Sequence, residues 1–151
     1  MPPKIDKRAI EAQIAARLAV IMREETDDAF RIKSWDGTPW QPVKNMVPQG
    51  SLMLRTALLR RSLTFRASGN TVRVSSAVPY ASLHNEGGTV SVPVTERMRR
   101  YFFYMYKLTK NERFLAMALS RKQSFSMRIP RRQFTGIQKS TRIRIQKIIG
   151  H

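Results

Sequence analysis

One long amphipathic stretch, residues 6–32, constrains the fold of this chain more than any other feature. Its apolar side chains recur at three- and four-residue spacing, with charged residues between them. These apolar residues are Ile10, Ile14, Leu18, Ile21 and Met22. Asp6 can cap the first turn, and residues 34–42, with an Asp-Gly pair and two prolines, form a turn-rich break. The pattern predicts a helix of about seven turns whose apolar face packs on the rest of the chain.

The next segments predict a short helix and a β-hairpin. Residues 51–61 have helical spacing, with Leu54, Leu58 and Leu59 facing inward. Residues 63–75 contain two strands of alternating apolar and polar side chains around a Ser-Gly-Asn loop. Arg66 and Arg73 are then expected on the outer, solvated face of the hairpin.

The remaining elements complete an α+β pattern. The Thr-Lys-Asn-Glu run at residues 109–112 is typical of a capping box, and Gly150 is expected to stop the last helix. In order, these elements are a helical turn (79–84), a strand (89–94), a two-helix insertion (95–122), a strand (124–129) and a closing helix capped by Ser140. We expect one domain over residues 1–151, with a small antiparallel sheet packed by the long N-terminal helix.

The charge of the chain is large and uneven. The formal net charge is +18, and residues 1–50 carry eight Lys or Arg against seven Asp or Glu. Residues 51–151 carry twenty against three, namely Glu86, Glu96 and Glu112. Such an excess usually indicates a polyanionic neighbour: nucleic acid, a membrane surface or an acidic protein face. The alternative is a surface that serves solubility alone, although a merely soluble surface would mix both signs.

Enzymatic chemistry finds little support in the sequence. Acid–base catalysis needs converging titratable groups, and the only plausible base is His84, because the other histidine, His151, is the last residue. One histidine and scattered acids do not form a metal site, and no Gly-rich loop with the Lys-Ser/Thr of a nucleotide site occurs. The longest apolar run, residues 101–106, is too short to span a bilayer. We expect a soluble protein made in a cytoplasm, without cofactor or enzymatic activity.

Two short motifs combine a backbone punctuator with aromatic and polar side chains. Residues 80–88 read YASLHNEGG, and residues 129–136 read IPRRQFTG. Paired glycines permit the positive φ that a reversal from helix to strand needs, so the first motif is either an internal corner or also a contact site. In the second motif, Phe134 and Arg132 are either a core anchor and a surface arginine, or a subunit contact in which the guanidinium meets a carboxylate.

Together the motifs resemble the phage virion-morphogenesis family of small tail-completion and head–tail joining proteins. That family carries YA-x-x-H-x-x-GG followed by IP-x-R-x-F-x-G, and it tends to carry DG-x-x-W-x-P after its first helix, which residues 36–42 match. The sequence departs from the family pattern at Gln133, where Pro is common, and at Arg131, where a small residue is common. The resemblance covers about residues 35–136, and the inserted helices are its least typical part.

The resemblance implies a structural protein of a tailed phage or prophage, not an enzyme. Such proteins form rings, commonly of about six subunits, at the head–tail junction or tail end, and closure needs heterologous interfaces. The implied location is the virion, after assembly in the bacterial host cytoplasm. Implied partners are further copies, other neck, portal and tail proteins and passing DNA; no membrane and no small-molecule substrate are expected.

Contact residues follow from the motifs, the aromatic run and the basic helices. Six large side chains at residues 101–106 cannot all face one core, so this helix is either buried on all sides or docked on a neighbour. Candidate subunit or partner contacts are Tyr80, His84, Tyr101, Phe102, Tyr104, Arg131, Arg132 and Phe134. Candidates for contact with DNA or an acidic partner are Arg97, Arg99, Arg100, Lys107 and Lys110.

A basic nucleic-acid-binding protein is the competing hypothesis. It is supported by the sequence pI near 11.5 and by a basic last helix containing Arg142, Arg144 and Lys147. Against it, no base-reading module is recognisable and the aromatic residues occur in helices, not on a sheet platform. A lumen through which DNA slides should not hold it tightly, so most basic residues are expected to face acidic neighbouring rings.

Overall fold

The computed structural model describes residues 5–44 and 50–150, so His151 lies outside the described residues. The chain divides into two compact units. The main unit comprises residues 5–44, 50–87 and 130–150, and the inserted unit comprises Gly88–Ile129. In chain order the elements are α1 (Lys7–Ile32), β1 (Ser34–Trp35), β2 (Thr38–Pro39), α2 (Leu58–Ser62), β3 (Leu63–Ser68), β4 (Thr71–Ser76), α3 (Ala81–Glu86), β5 (Gly88–Pro93), α4 (Glu96–Thr109), α5 (Glu112–Leu119), β6 (Ser124–Ile129) and α6 (Lys139–Ile149).

The long first helix forms as the sequence predicts. The Asp6 carboxylate accepts hydrogen bonds from the main-chain N–H groups of Arg8 and Ala9, at 3.0 and 3.4 Å, which caps α1. The helix ends at Lys33, which adopts the left-handed conformation with φ 57°. Burial increases towards the C-terminal end, where Phe30 is fully covered, whereas Ile10 stays exposed. The C-terminal half of α1 therefore supplies most of its packing surface.

The core of the main unit gathers aromatic residues from distant segments. Trp35 and Trp40, which flank the β1–β2 hairpin, are both buried, as are Leu59 and Leu63. The Trp40 and Phe30 rings meet edge to face, with centroids 5.6 Å apart. Both buried Trp side chains therefore anchor the turn-rich loop on the core.

The second helix is shorter than predicted, and the hairpin is as predicted. Only Leu58–Ser62 is helical, because Met53 and Ala57 hold positive φ values of 64° and 55°, which interrupt a helix. Strands β3 and β4 pair antiparallel and pack on α1. Arg66 lies directly opposite Arg73, and both are exposed. The outer face of the hairpin is thus solvated and basic, as expected.

The last helix packs on α1 through polar contacts that the sequence did not indicate. Glu25 is buried in α1, and its carboxylate accepts hydrogen bonds from the hydroxyls of Ser140, at 2.8 Å, and Thr141. Ser140 is therefore not the predicted cap: Gln138 is the N-cap residue of α6, and its main-chain N–H donates to the Thr141 hydroxyl at 2.9 Å. Gly150 ends the helix with φ −80°, which is not a left-handed cap. The prediction was wrong because Ser140 is engaged by Glu25.

The inserted unit contains both predicted insertion helices and two strands. Strands β5 and β6 pair antiparallel with each other, so the described residues form three two-stranded sheets where one small sheet was predicted. The side chain of Asn111 caps α5, and Thr109 donates its hydroxyl to the Met105 carbonyl at 2.7 Å, so Thr109 is not the predicted cap. The α+β class, with its long first helix and small antiparallel pairings, is confirmed.

Candidate functional site

The three motif segments, residues 36–42, 80–87 and 130–136, meet in the main unit. The main-chain N–H of Arg132 donates to the His84 carbonyl at 2.8 Å. The indole N–H of Trp40 donates to the Gln133 carbonyl, also at 2.8 Å. The bonds join segments about 50 and 90 residues apart, so the motif residues hold one another in place. This structural role within the protomer accounts for the motif pattern without a partner.

Asn85 is the residue that the sequence reasoning missed. It lies in the last turn of α3, and its side-chain oxygen accepts hydrogen bonds from the main-chain N–H groups of Phe134 and Thr135, at 3.0 and 3.2 Å. One amide side chain thereby satisfies two donors of the second motif. No signal in the sequence indicates these bonds, because Asn side chains in turns commonly bond main-chain groups a few residues away, whereas these partners lie 49 and 50 residues along the chain.

Gly87 permits the two motifs to approach closely. Its φ is 76°, and a Cβ atom there would lie 2.8 Å from the main-chain nitrogen of Arg131. Both observations exclude an ordinary side chain, since the conformation favours glycine and the space belongs to the neighbouring backbone. Gly87 of the first motif is therefore required because the backbone of the second motif lies against it.

Phe134 lies in the core and not on the surface. Its ring is 1% exposed and packs 5.3 Å from Phe30, centroid to centroid. The prediction that Phe134 contacts a partner is therefore not met in this structure: the large apolar ring fills the space beside Phe30, and the core-anchor interpretation holds.

Arg132 is also buried, which the alternative of a surface arginine did not anticipate. It is 6% exposed. Its Nε donates to the Gln41 carbonyl at 2.9 Å, and one terminal nitrogen lies 3.5 Å from the Pro42 carbonyl. Burial lowers the pKa of the guanidinium. None of the ion pairs among residues 5–44 and 50–150 includes Arg132. A buried cation therefore relies on carbonyl dipoles.

His84 and Tyr80 lie on α3 and at its N-terminal cap. The two rings meet edge to face, 5.7 Å apart. Within the part of the chain that the structure describes, the buried Nδ1 of His84 has no hydrogen-bond partner. Burial and the nearby charge of Arg132 lower the pKa of His84, so the imidazole is neutral at neutral pH.

A pocket of about 440 Å³ joins these side chains. Tyr80, His84 and Arg132 line one part of it, and apolar side chains that include Leu52 and Leu58 line another. Arg131, the neighbour of Arg132, is exposed and donates to the Gln133 side chain at 2.7 Å. The pocket combines a buried cation, a neutral imidazole and an apolar wall.

The candidate residues of the inserted unit separate into exposed and buried groups. Tyr101 and Tyr104 are 53% and 58% exposed, whereas Phe102 is buried and packs against Phe114 and Phe125 at 6.4 and 6.2 Å. Phe102 is therefore a core residue of this unit and not a surface contact, because the helix presents one aromatic face inward. The helix α4 is neither buried on all sides nor fully exposed.

The basic residues of α4 differ in the same way. The Arg99 guanidinium donates to the carbonyls of Ala118, at 3.2 Å, and Ser120, both near the end of α5. These bonds engage the Arg99 guanidinium within the inserted unit, which opposes the predicted contact of Arg99 with DNA or an acidic partner. The remaining candidates are exposed: Arg97, Arg100, Lys107 and Lys110.

Comparison with known protein families shows to which family the chain belongs. The sequence model of the phage virion morphogenesis family matches residues 5–151, nearly the whole chain. The chain belongs to the phage virion morphogenesis family. No curated protein and no solved structure matches it. The match confirms the resemblance, includes the inserted helices that were its least typical part, and extends beyond residues 35–136 at both ends.

Family membership indicates a structural role in phage virion morphogenesis and a location in the virion. Virion morphogenesis proteins are generally structural and not enzymatic. Among residues 5–44 and 50–150, no three or more His, Cys, Asp or Glu side chains group as metal ligands. No described helix combines the length and the apolar character needed to cross a membrane.

Proposed function

We propose that this virion morphogenesis protein is a neck or tail-completion subunit that forms a ring and joins head to tail. Family membership carries the proposal. The ring of about six copies, with heterologous contacts between neighbours, is the arrangement that the resemblance implies. Neighbouring neck, portal and tail proteins are the proposed partners, and passing DNA is a further contact.

The exposed aromatic face of α4 supports a protein–protein contact. Tyr101 and Tyr104 are joined there by exposed Leu108. Large exposed apolar patches are uncommon on proteins that act alone, and Tyr is enriched in interfaces. The buried residue of the same helix, Phe102, keeps the inserted unit folded, so the exposed side chains are not needed for its core.

The experiment is to count copies of the protein in purified virions by quantitative mass spectrometry. We expect about six or twelve copies per particle, which corresponds to one or two rings. Absence from particles, or hundreds of copies, contradicts the proposal. Particles assembled with a Tyr101→Ser, Tyr104→Ser double variant should contain few copies, whereas Val20→Ser, which removes an exposed apolar side chain from α1 in the main unit, should leave the count unchanged.

Nucleic-acid binding is the second candidate, and the inserted unit favours it. Residues 88–129 carry nine Lys or Arg against two Glu, a local net charge of +7. The basic side chains of α4 are exposed apart from Arg99. Sub-micromolar binding to a random DNA duplex at low salt, lost steeply as salt rises, would favour this candidate. Feeble binding under the same conditions would favour the ring.

A further inference from the structure

The pocket beside Arg132 lacks the negative charge that its chemistry calls for. A guanidinium has five N–H donors, and only two atoms of Arg132 reach acceptors, one of them at the long distance of 3.5 Å. The ion pairs of the described residues all lie elsewhere. Burying a cation without a carboxylate is costly, since carbonyl dipoles replace only part of its hydration. The site is therefore incomplete as a charge pair.

A second side chain that lines the pocket has a polar atom without a partner among the described residues. The Nδ1 atom of His84 is buried and bonds to no described group, and the Arg132 charge acts on this imidazole. Buried polar atoms are satisfied in most structures, and an exception requires an explanation such as an absent ligand. The Arg132 and His84 side chains line the same pocket, so one ligand can contact both of them.

The shape of the pocket restricts the ligand. A volume of about 440 Å³ falls within the range of roughly 300–1,000 Å³ typical of ligand-holding clefts. Leu52, Met53 and Leu58 provide an apolar wall next to the buried charge. A carboxylate on a short apolar-flanked peptide segment fits this combination, and the guanidinium can bind it with two parallel hydrogen bonds.

Charge distribution identifies the source of that carboxylate. Seven of the ten acidic side chains already accept a hydrogen bond or an ion pair inside the protomer: Asp6, Glu11, Glu24, Glu25, Asp27, Asp28 and Asp36. Three acidic residues remain, against 28 Lys or Arg. A second copy of the chain therefore has few carboxylates to offer and a high positive charge, whereas an acidic neighbour is attracted.

We propose that the pocket formed by Tyr80, His84, Arg132 and the adjoining leucines is a docking site for an Asp or Glu side chain, flanked by an apolar residue, on a virion protein of different sequence. This inference rests on the proposed function, because it names the chemistry of a partner within the particle. It assigns the second motif a contact role through Arg132, while Phe134 fixes the backbone from within the core.

The test measures binding of two short probe peptides to the full chain. Acetyl-Leu-Glu-Leu-amide is titrated against acetyl-Leu-Gln-Leu-amide, and the side-chain Nε–H signal of Arg132 and the ring signals of His84 are followed by NMR. The Glu peptide should shift both sets of signals in a saturable way, and the Gln peptide should bind about ten- to a hundred-fold more weakly, which is the usual effect of one charge-assisted hydrogen bond. Equal shifts with both peptides overturn the proposal.

Variants separate the pocket from the surrounding surface. Arg132→Met should abolish the preference for the Glu peptide, whereas Arg131→Met, which removes an exposed neighbouring charge, should retain it. Because Arg132→Met also leaves two carbonyls unpaired, Leu58→Glu provides a second variant at an exposed position of the pocket wall. Its carboxylate repels the probe or occupies Arg132, so binding should fall while the fold is kept. Unchanged binding by either pocket variant contradicts the proposal.

Two further measurements distinguish the alternatives. If inorganic phosphate or a DNA oligonucleotide shifts the Arg132 signal and the Glu peptide does not, the pocket is a phosphate site and the carboxylate proposal is wrong. If Arg132→Met abolishes self-association of the purified chain, the occupant is a second copy and the proposed partner is wrong. The peptide assay uses purified protein and the copy count uses virions, so failure of the docking site and failure of the ring function are observed independently.

Discussion

Asn85 is expected to be the residue whose truncation most weakens the junction between the two motifs. Asn85→Ala removes the acceptor of two main-chain N–H groups, those of Phe134 and Thr135. A buried donor left without a partner costs about 1–3 kcal/mol. Because both bonds lie in partly buried surroundings, we expect a combined loss of about 2–4 kcal/mol in the free energy of unfolding. That loss corresponds to a fall of about 1–2 M in the urea midpoint.

The assay can be made specific for the main unit. The chain has two Trp, Trp35 and Trp40, and both are buried in this core, so Trp fluorescence during urea unfolding reports on the main unit alone. Asn85→Asp keeps the accepting oxygen and should lose much less than the Ala variant. Ser82→Ala, an exposed change on the same helix, should stay within about 0.5 kcal/mol. If Asn85→Ala is no worse than Ser82→Ala, the two bonds do not hold the motifs together.

Three other variants examine the same structure. His84→Gln should flatten the dependence of stability on pH. The pKa of His84 is lowered by burial and a neighbouring cation, so the wild type loses stability as pH falls below the unfolded pKa of about 6.5. If the urea midpoint changes equally between pH 7 and pH 5.5 in the wild type and the variant, this prediction is wrong. Gly87→Ala should lower the urea midpoint more than Gly69→Ala, because both have positive φ but only Gly87 meets the Arg131 backbone; equal losses would exclude that contact as the cause. Lys110→Gly, at a left-handed cap with φ 55°, should stabilise the inserted unit by about 1 kcal/mol, and Lys110→Ala should not. The measurement is the loss of the helical circular dichroism signal on unfolding.

Local patterns predicted most of the elements because their causes are local. Asp6 caps α1 through its own first turn, and the alternation around the Ser-Gly-Asn loop defines the β3–β4 hairpin without reference to the rest of the chain. The family resemblance was likewise found from short motifs and matches nearly the whole chain. These features depend on residues within a few positions of one another, which a sequence displays directly.

Several predictions failed because the partner of a residue or strand lies far along the chain. Ser140 has the character of a cap, but Glu25, 115 residues away, takes its hydroxyl. One small antiparallel sheet was expected, but β5 pairs with β6 and not with the hairpin. Likewise, no local pattern shows that Asn85 reaches the second motif. Each error concerns a partner far along the chain, where spacing in sequence carries no distance information.

The positions of the motif residues distinguish those that hold the protomer together from the one that we propose contacts a partner. Phe134, Asn85 and Gly87 act inside the main unit, where they position the loop through packing, hydrogen bonds and close backbone approach. Arg132 differs from them, because a core needs an apolar filler at that position and not a charge. Arg132 is buried without a carboxylate, which is costly within the protomer, and the proposed docking site would offset this cost by supplying one. The same loop therefore has a part that the protomer explains and one residue, Arg132, to which the proposed docking site assigns a partner.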